Sequence, residues 1–145
     1  MKVEHVLEVA APIDRLWALT AAIEDWPRIT PTITSVERLD DGPLTIGSRA
    51  RLKQPGQPRR VWTVTALEPQ RLFEWSTTLP GLTMTAVHEL AATERGTLNL
   101  LRVELSGWTS FVAGILLRVP IRRAIARENE AFRSAAEADP RAGGA

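Results

Sequence analysis

Between Trp108 and about Ala138 the apolar residues Phe111, Ile115, Leu117, Ile121, Ile125 and Phe132 recur at helical spacing, with Arg118, Arg122, Arg123 and Arg127 interleaved. This predicts one long helix with a dry side and a wet side. Gly107 precedes it as a breaker, and Pro120 removes a backbone donor inside it, which predicts a local bend. A helix of ~30 residues spans ~45 Å, so it needs a broad partner. The preceding chain supplies one. Val3, His5, Leu7 and Val9 alternate with Lys2, Glu4, Val6 and Glu8, the period-two pattern of a strand. Pro12 and Asp14 suit the first turn of a helix whose apolar face is Ile13, Leu16, Trp17, Thr20 and Ile23. Asp25-Trp26-Pro27 breaks that helix, and a short helical or irregular piece runs through Arg28 to Pro31.

Short strand-like runs follow at Ile33–Leu39, Ser48–Gln54, Arg60–Glu68, Leu72–Thr78, Leu82–Leu90 and Leu98–Ser106. The joins between them, such as Asp40-Asp41-Gly42-Pro43 and Leu79-Pro80-Gly81, consist of turn residues. Joins this short favour an antiparallel meander, because parallel neighbours need long crossovers. The expected architecture is α+β: a seven-stranded curved antiparallel sheet with the long helix across its concave face.

Composition narrows the options. The 145 residues suit one domain, expected over 1–138, with a disordered tail from Asp139 to Ala145. No cysteine is present, which excludes disulfides and thiolate sites. A net charge of +1 gives no overall field for nucleic acid or for an anionic membrane. No apolar run is long enough for stable membrane insertion, and the N-terminus lacks the apolar core of a signal peptide. The expected setting is cytoplasmic and the expected partner a small molecule; the sequence leaves a homodimer open. No P-loop, dinucleotide fingerprint or Gly-x-Ser-x-Gly elbow is present, and two distant histidines without cysteine do not make a zinc site. No metal or cofactor is implied.

Several pieces in order carry a resemblance: Ala11-Pro12 with Leu16-Trp17, Asp25-Trp26-Pro27, Ile46-Gly47-Ser48, Gln54-Pro55-Gly56 with Trp62-Thr63-Val64, and Glu68-Pro69. Phe73-Glu74-Trp75, Pro80-Gly81, His88-Glu89-Leu90, Gly96-Thr97 and Gly107 continue the series. From Val3 to Glu137 the chain resembles the helix-grip proteins of the START and birch-pollen-allergen superfamily (SRPBCC), in the bacterial polyketide cyclase/dehydrase-like branch. The resemblance implies a ligand cavity between sheet and long helix, and it leaves function open because this fold hosts carriers, receptors and enzymes.

Strand parity suggests the lining. Leu82, Met84, Ala86, His88 and Leu90 share one face, as do Trp62 with Val64, and Phe73 with Trp75 and Thr77. In the last strand the phase slips at Leu100-Leu101, as a bulge would cause, so Arg102 and Glu104 are not placed. The candidate ligand-binding residues are Trp26, Trp62, Phe73, Trp75, Met84, Ala86, His88, Phe111, Ile115 and Ile125. His88 is also the candidate acid or base; its plainer role is that of a hydrogen-bonded core histidine. His5, Trp17 and Trp108 read as packing, the helix arginines with Glu128 and Glu130 as a solvated face, and Arg49 and Arg51 as outward. Asp25, Glu74 and Glu104 are candidates for a buried carboxylate.

Two functions fit: a binding protein for a small hydrophobic ligand such as a lipid, polyketide or aromatic metabolite, or a polyketide cyclase or dehydratase acting in the same cavity. A domain with a filled core and a regulatory role is a third. Polarity separates the first two, since an enzyme needs two or more convergent titratable groups inside and a carrier needs one or none.

Overall fold

The computed structural model describes residues 1–138; the tail expected to be disordered lies outside them. The chain forms β1 (Lys2–Val9), α1 (Ile13–Ala21), a 3-10 turn (Ile23–Asp25), α2 (Trp26–Ile29), then β2 (Ser35–Arg38) and β3 (Arg49–Lys53). β4 (Arg60–Glu68), β5 (Leu72–Leu79), β6 (Leu82–Thr93), β7 (Gly96–Ser106) and α3 (Ser110–Glu137) complete it. The strands form one antiparallel sheet in the order β1-β7-β6-β5-β4-β3-β2. The expected architecture is therefore present, with β2 shorter than its apolar run and the β6–β7 hairpin longer.

The expected bulge at Leu100-Leu101 is absent, because β7 pairs with β1 and β6 in unbroken register. Its inward positions are Thr97, Asn99, Leu101, Val103 and Leu105. The first two are polar yet fully buried, whereas Leu98 is partly exposed on the other face. Hydrogen bonds allow this inversion: the Thr97 hydroxyl donates to Ala11 O at 2.9 Å, and the Asn99 amide donates to Asn129 Oδ1 at 2.9 Å. Arg102 and Glu104 consequently point to the convex face, where they join an ion-pair network with Lys2, Glu4 and Glu89. The register shift lies instead in β4, between Val64 and Ala66.

The helix α3 packs chiefly on β1 and β7, one side of the sheet. Asn129, fully buried, sets its position: its amide donates to His5 Nδ1 at 3.0 Å, His5 O at 3.1 Å and Asn99 O at 3.2 Å. His5, which the sequence left without a partner, is thus part of this network. At the C-terminal end of α3, where carbonyls lack intrahelical donors, Arg15 of α1 donates to Ala136 O at 2.5 Å and Ala138 O at 2.9 Å. Glu137 accepts from Ala10 N at 2.8 Å. At the other end Thr109 donates its N–H and hydroxyl to Gly81 O, at 3.0 and 2.7 Å. Gly81 has φ +69° and a Cβ there would lie 2.6 Å from the Trp108 ring, so the hairpin tip requires glycine.

The main core gathers where α2 and the C-terminal half of α3 meet β4–β6. Trp26, 1% exposed, packs edge-on against Phe73, Trp75 and Phe132 with centroids 5.2–5.7 Å apart. We predict that Asn129→Ala, which strips partners from His5 and Asn99, lowers unfolding free energy by about 2–3 kcal/mol in urea titrations.

Candidate functional site

One helix cannot fill a sheet of seven strands, and α3 sits towards its β1–β7 side. Between α3 and the strands from β3 to β7 lies a cavity of about 390 Å³. Its walls are mostly apolar: Trp62, Trp75, Leu82, Met84 and Ala86 from the sheet, and Leu117, Ile121 and Ile125 from the helix. The polar members include Gln54, Gln57, Arg60, His88 and Glu128. Seven of the ten expected lining residues are brought together there: Trp26, Trp62, Trp75, Met84, Ala86, His88 and Ile125.

Three are not. Phe73 is fully buried behind the wall, in edge contact with Trp75 and His88. Phe111 and Ile115 are 79% and 68% exposed and point to solvent. At about 100° per residue they lie roughly 40–120° around the helix from Ile121, Ile125 and Phe132, so the apolar positions of α3 form two faces rather than one. Trp108, expected to pack, is 86% exposed with its ring over Gly81. Trp26 is anchored in the core at the edge of the cavity: its indole N–H donates to Leu19 O and Thr20 O, both at 3.2 Å.

His88 lies 3% exposed among the rings of Trp26, Phe73 and Phe132, with centroids 5.1–5.8 Å away. Its Nε2 is 3.6 Å from Glu128 Oε1, and its Nδ1 has no protein partner. Burial drives the two groups in opposite directions. The imidazole pKa falls from 6.5 to about 3, because the cation has no water to stabilise it. The Glu128 carboxyl rises from 4.5 to about 7, with the Thr32 hydroxyl offsetting part of that by hydrogen bonding. Near neutral pH this is a neutral imidazole beside a half-ionised carboxyl, not an ion pair.

Glu128 was expected on the solvated face and is instead inside. The signal was in its spacing: it stands seven residues after Ile121, three after Ile125 and four before Phe132, on the inward stripe. Its charge masked that position. The carboxylates singled out by the sequence lie elsewhere: Asp25 is half-buried beside Arg28, Glu74 accepts from the Thr65 hydroxyl at 2.7 Å on the outer face, and Glu104 belongs to the convex ion-pair network.

Two further buried N–H groups on this wall, Arg60 Nε and Trp62 Nε1, also lack partners. They project from β4 two residues apart, on one face. A smaller recess of about 280 Å³ adjoins the cavity and shares Gln54, Gln57, Pro120 and Ala124 with it; Arg123 and Arg127 also line it.

Residues 1–137 match the family described as "Polyketide cyclase / dehydrase and lipid transport". The chain belongs to that family. A putative polyketide cyclase of Streptomyces halstedii is 33% identical over 63 residues, a match covering 41% of this chain and 54%, about half, of that relative. Among solved structures, the Zhui aromatase/cyclase of Streptomyces sp. R1128 superposes with a TM-score of 0.76 at 22% identity, covering 94% of this chain and 93% of that one. Ara h 8.0201 does so with a TM-score of 0.72 at 12% identity, covering 92% and 95%. At these identities the structural likeness establishes the fold, the helix-grip architecture that the order of motifs resembles. Among the described residues no helix is long and apolar enough to cross a membrane.

The opposite shifts of this family member's cavity pair have opposite effects on stability. Glu128 holds its proton more tightly when folded, so its contribution is complete below about 4.5 and is lost as pH rises through about 7. His88 holds its proton less tightly when folded, so its contribution is present above 6.5 and is lost as pH falls towards 3. Glu128→Gln, which stays neutral, should remove the first decline. We expect the variant to exceed the parent at pH ~8 by on the order of 2 kcal/mol, and to match it near pH ~4, in urea titrations across pH.

Proposed function

We propose that the protein binds a small, largely apolar, carbonyl-bearing molecule in the cavity and moves protons on it, as a cyclase or dehydratase of the polyketide type. The observation that carries this reading is the convergence of two titratable groups, His88 and Glu128, on the wall of an otherwise apolar cavity. A pure carrier has no need of such a pair. Burying it costs stability, which functional sites tolerate and structural ones avoid.

Of the two, Glu128 is the proton carrier. A carboxyl poised near 7 is populated in both forms at neutral pH, the condition that favours general acid–base work. Its ionised form can take a proton from an acidic C–H beside a ligand carbonyl, leaving an enolate. Its protonated form can return that proton to an oxygen, and in a dehydration the departing hydroxyl leaves as water. His88 resists becoming a cation; with its one N–H at Nε2 towards Glu128, 3.6 Å away, its Nδ1 is an acceptor suited to a ligand hydroxyl. The unpaired N–H groups of Arg60 and Trp62 suit further ligand oxygens. Aromatic walls at Trp62 and Trp75 suit a flat, conjugated skeleton. The family's description and the names of its relatives support the same substrate class.

A bicyclic benzo-fused ketone such as 2-tetralone tests the reading, with deuterium exchange at its α-carbons followed by NMR in D₂O. Catalysed exchange should fall ~100-fold in Glu128→Gln, the scale of a lost general base, while binding persists. Binding with no exchange above the solvent rate in the parent protein would instead make it a carrier, and native mass spectrometry would then name the cargo.

A further inference from the structure

We infer that the outward face of the first three turns of α3 is a docking surface for an anionic phospholipid bilayer. This inference is independent of the chemistry proposed for the cavity. Trp108, Phe111, Val112, Ile115, Leu116 and Val119 are all between 51% and 86% exposed. From Phe111 onwards these side chains fall within about 140° of the helix circumference at about 100° per residue, which makes one continuous convex strip. Scattered exposed apolar residues need no explanation, but a strip of this size on a folded surface marks an interaction site. A convex face cannot enclose a small molecule, so the occupant is itself broad.

Charge selects the occupant. From Leu105 to Arg127 the chain carries no Asp or Glu, whereas Arg118, Arg122, Arg123 and Arg127 are all exposed. None of the four forms an ion pair among the described residues. An aromatic and aliphatic strip bordered by unpaired arginines is the composition that lies in a membrane interface, with rings among acyl chains and guanidiniums on lipid phosphates. A second copy seated on the same strip would set two acid-free basic segments against each other.

Geometry gives docking a consequence. The turns that present Leu116 and Val119 outward present Leu117, Pro120 and Ile121 to the cavity. A docked protein would hold the cavity's helical wall at the interface, where apolar molecules concentrate.

The test is co-sedimentation of the full chain with vesicles of phosphatidylcholine containing roughly 30% phosphatidylglycerol, against pure phosphatidylcholine, at low and high salt. We expect binding to the anionic vesicles that weakens with salt. It should fall ~tenfold or more in Phe111→Ser/Ile115→Ser and lose its salt dependence in Arg118→Gln/Arg122→Gln/Arg123→Gln. Independently of those variants, brominated lipid should quench a component of the parent's tryptophan emission that Trp108→Phe lacks. Binding unchanged by the substitutions, or no binding to either vesicle, overturns the proposal. So does a dimer in sedimentation velocity that Ile115→Ser dissolves while vesicles are ignored, which would give the strip to a second copy.

Discussion

The rotation of α3 about its own axis depends on Asn129, and most of what is specific to this molecule depends on that rotation. A helix lying on a smooth apolar surface can roll at little cost, since dispersion and hydrophobic burial are not directional. A buried amide cannot. Asn129 is fully enclosed and meets His5 on β1 and Asn99 on β7, so any roll would leave several buried polar groups without partners. With Asn129 turned to the β1–β7 side, its neighbour Glu128 turns to the cavity and Phe132 to the aromatic cluster. The same rotation leaves Phe111, Ile115 and Leu116 facing water.

The cavity is the remainder of this arrangement. Arg15 and Glu137 hold the C-terminal end of α3 to the β1–α1 junction, and Gly81 holds its start through Thr109. Anchored at both ends on one side of a wide sheet, the helix leaves the strands from β4 to β6 uncovered along part of their length. Trp26 and Phe132 fill one end of that space with edge-on aromatic contacts. The rest stays open, and His88 and Glu128 stand on its wall, next to the aromatic plug. Their dehydrated surroundings keep the imidazole neutral and bring the carboxyl near neutrality, so the packing that stabilises the fold also tunes the pair.

Local pattern was enough for much of this molecule. The alternation in β4, β5 and β6 reports a face towards the core, because side-chain period in a strand is a covalent property of the backbone. It placed Trp62, Trp75, Met84, Ala86 and His88 on one side, and they meet at one cavity. The turn residues and short joins likewise lead to an antiparallel meander, and the run of motifs to the family. Where pattern misled, a buried polar residue or an exposed apolar one had reversed its usual meaning. Thr97 and Asn99 look outward by chemistry and are inward because the Thr97 hydroxyl and the Asn99 amide N–H each find a buried acceptor. Phe111 and Ile115 look inward by chemistry and are outward.

By itself, then, the sequence determined the elements, their antiparallel order, the family and the inward faces of β4, β5 and β6, all of which follow from local periodicity and turn chemistry. Only the tertiary structure decided which partner each polar side chain finds. It placed Glu128 3.6 Å from His88, forty residues away in sequence, put Asn129 between β1 and β7, and left Arg60 and Trp62 with free N–H groups on the cavity wall. The reason is physical: periodicity states which side of an element is dry, but the pairing of groups distant in sequence, and the burial that shifts their protons, depend on how far the helix is rolled against the sheet.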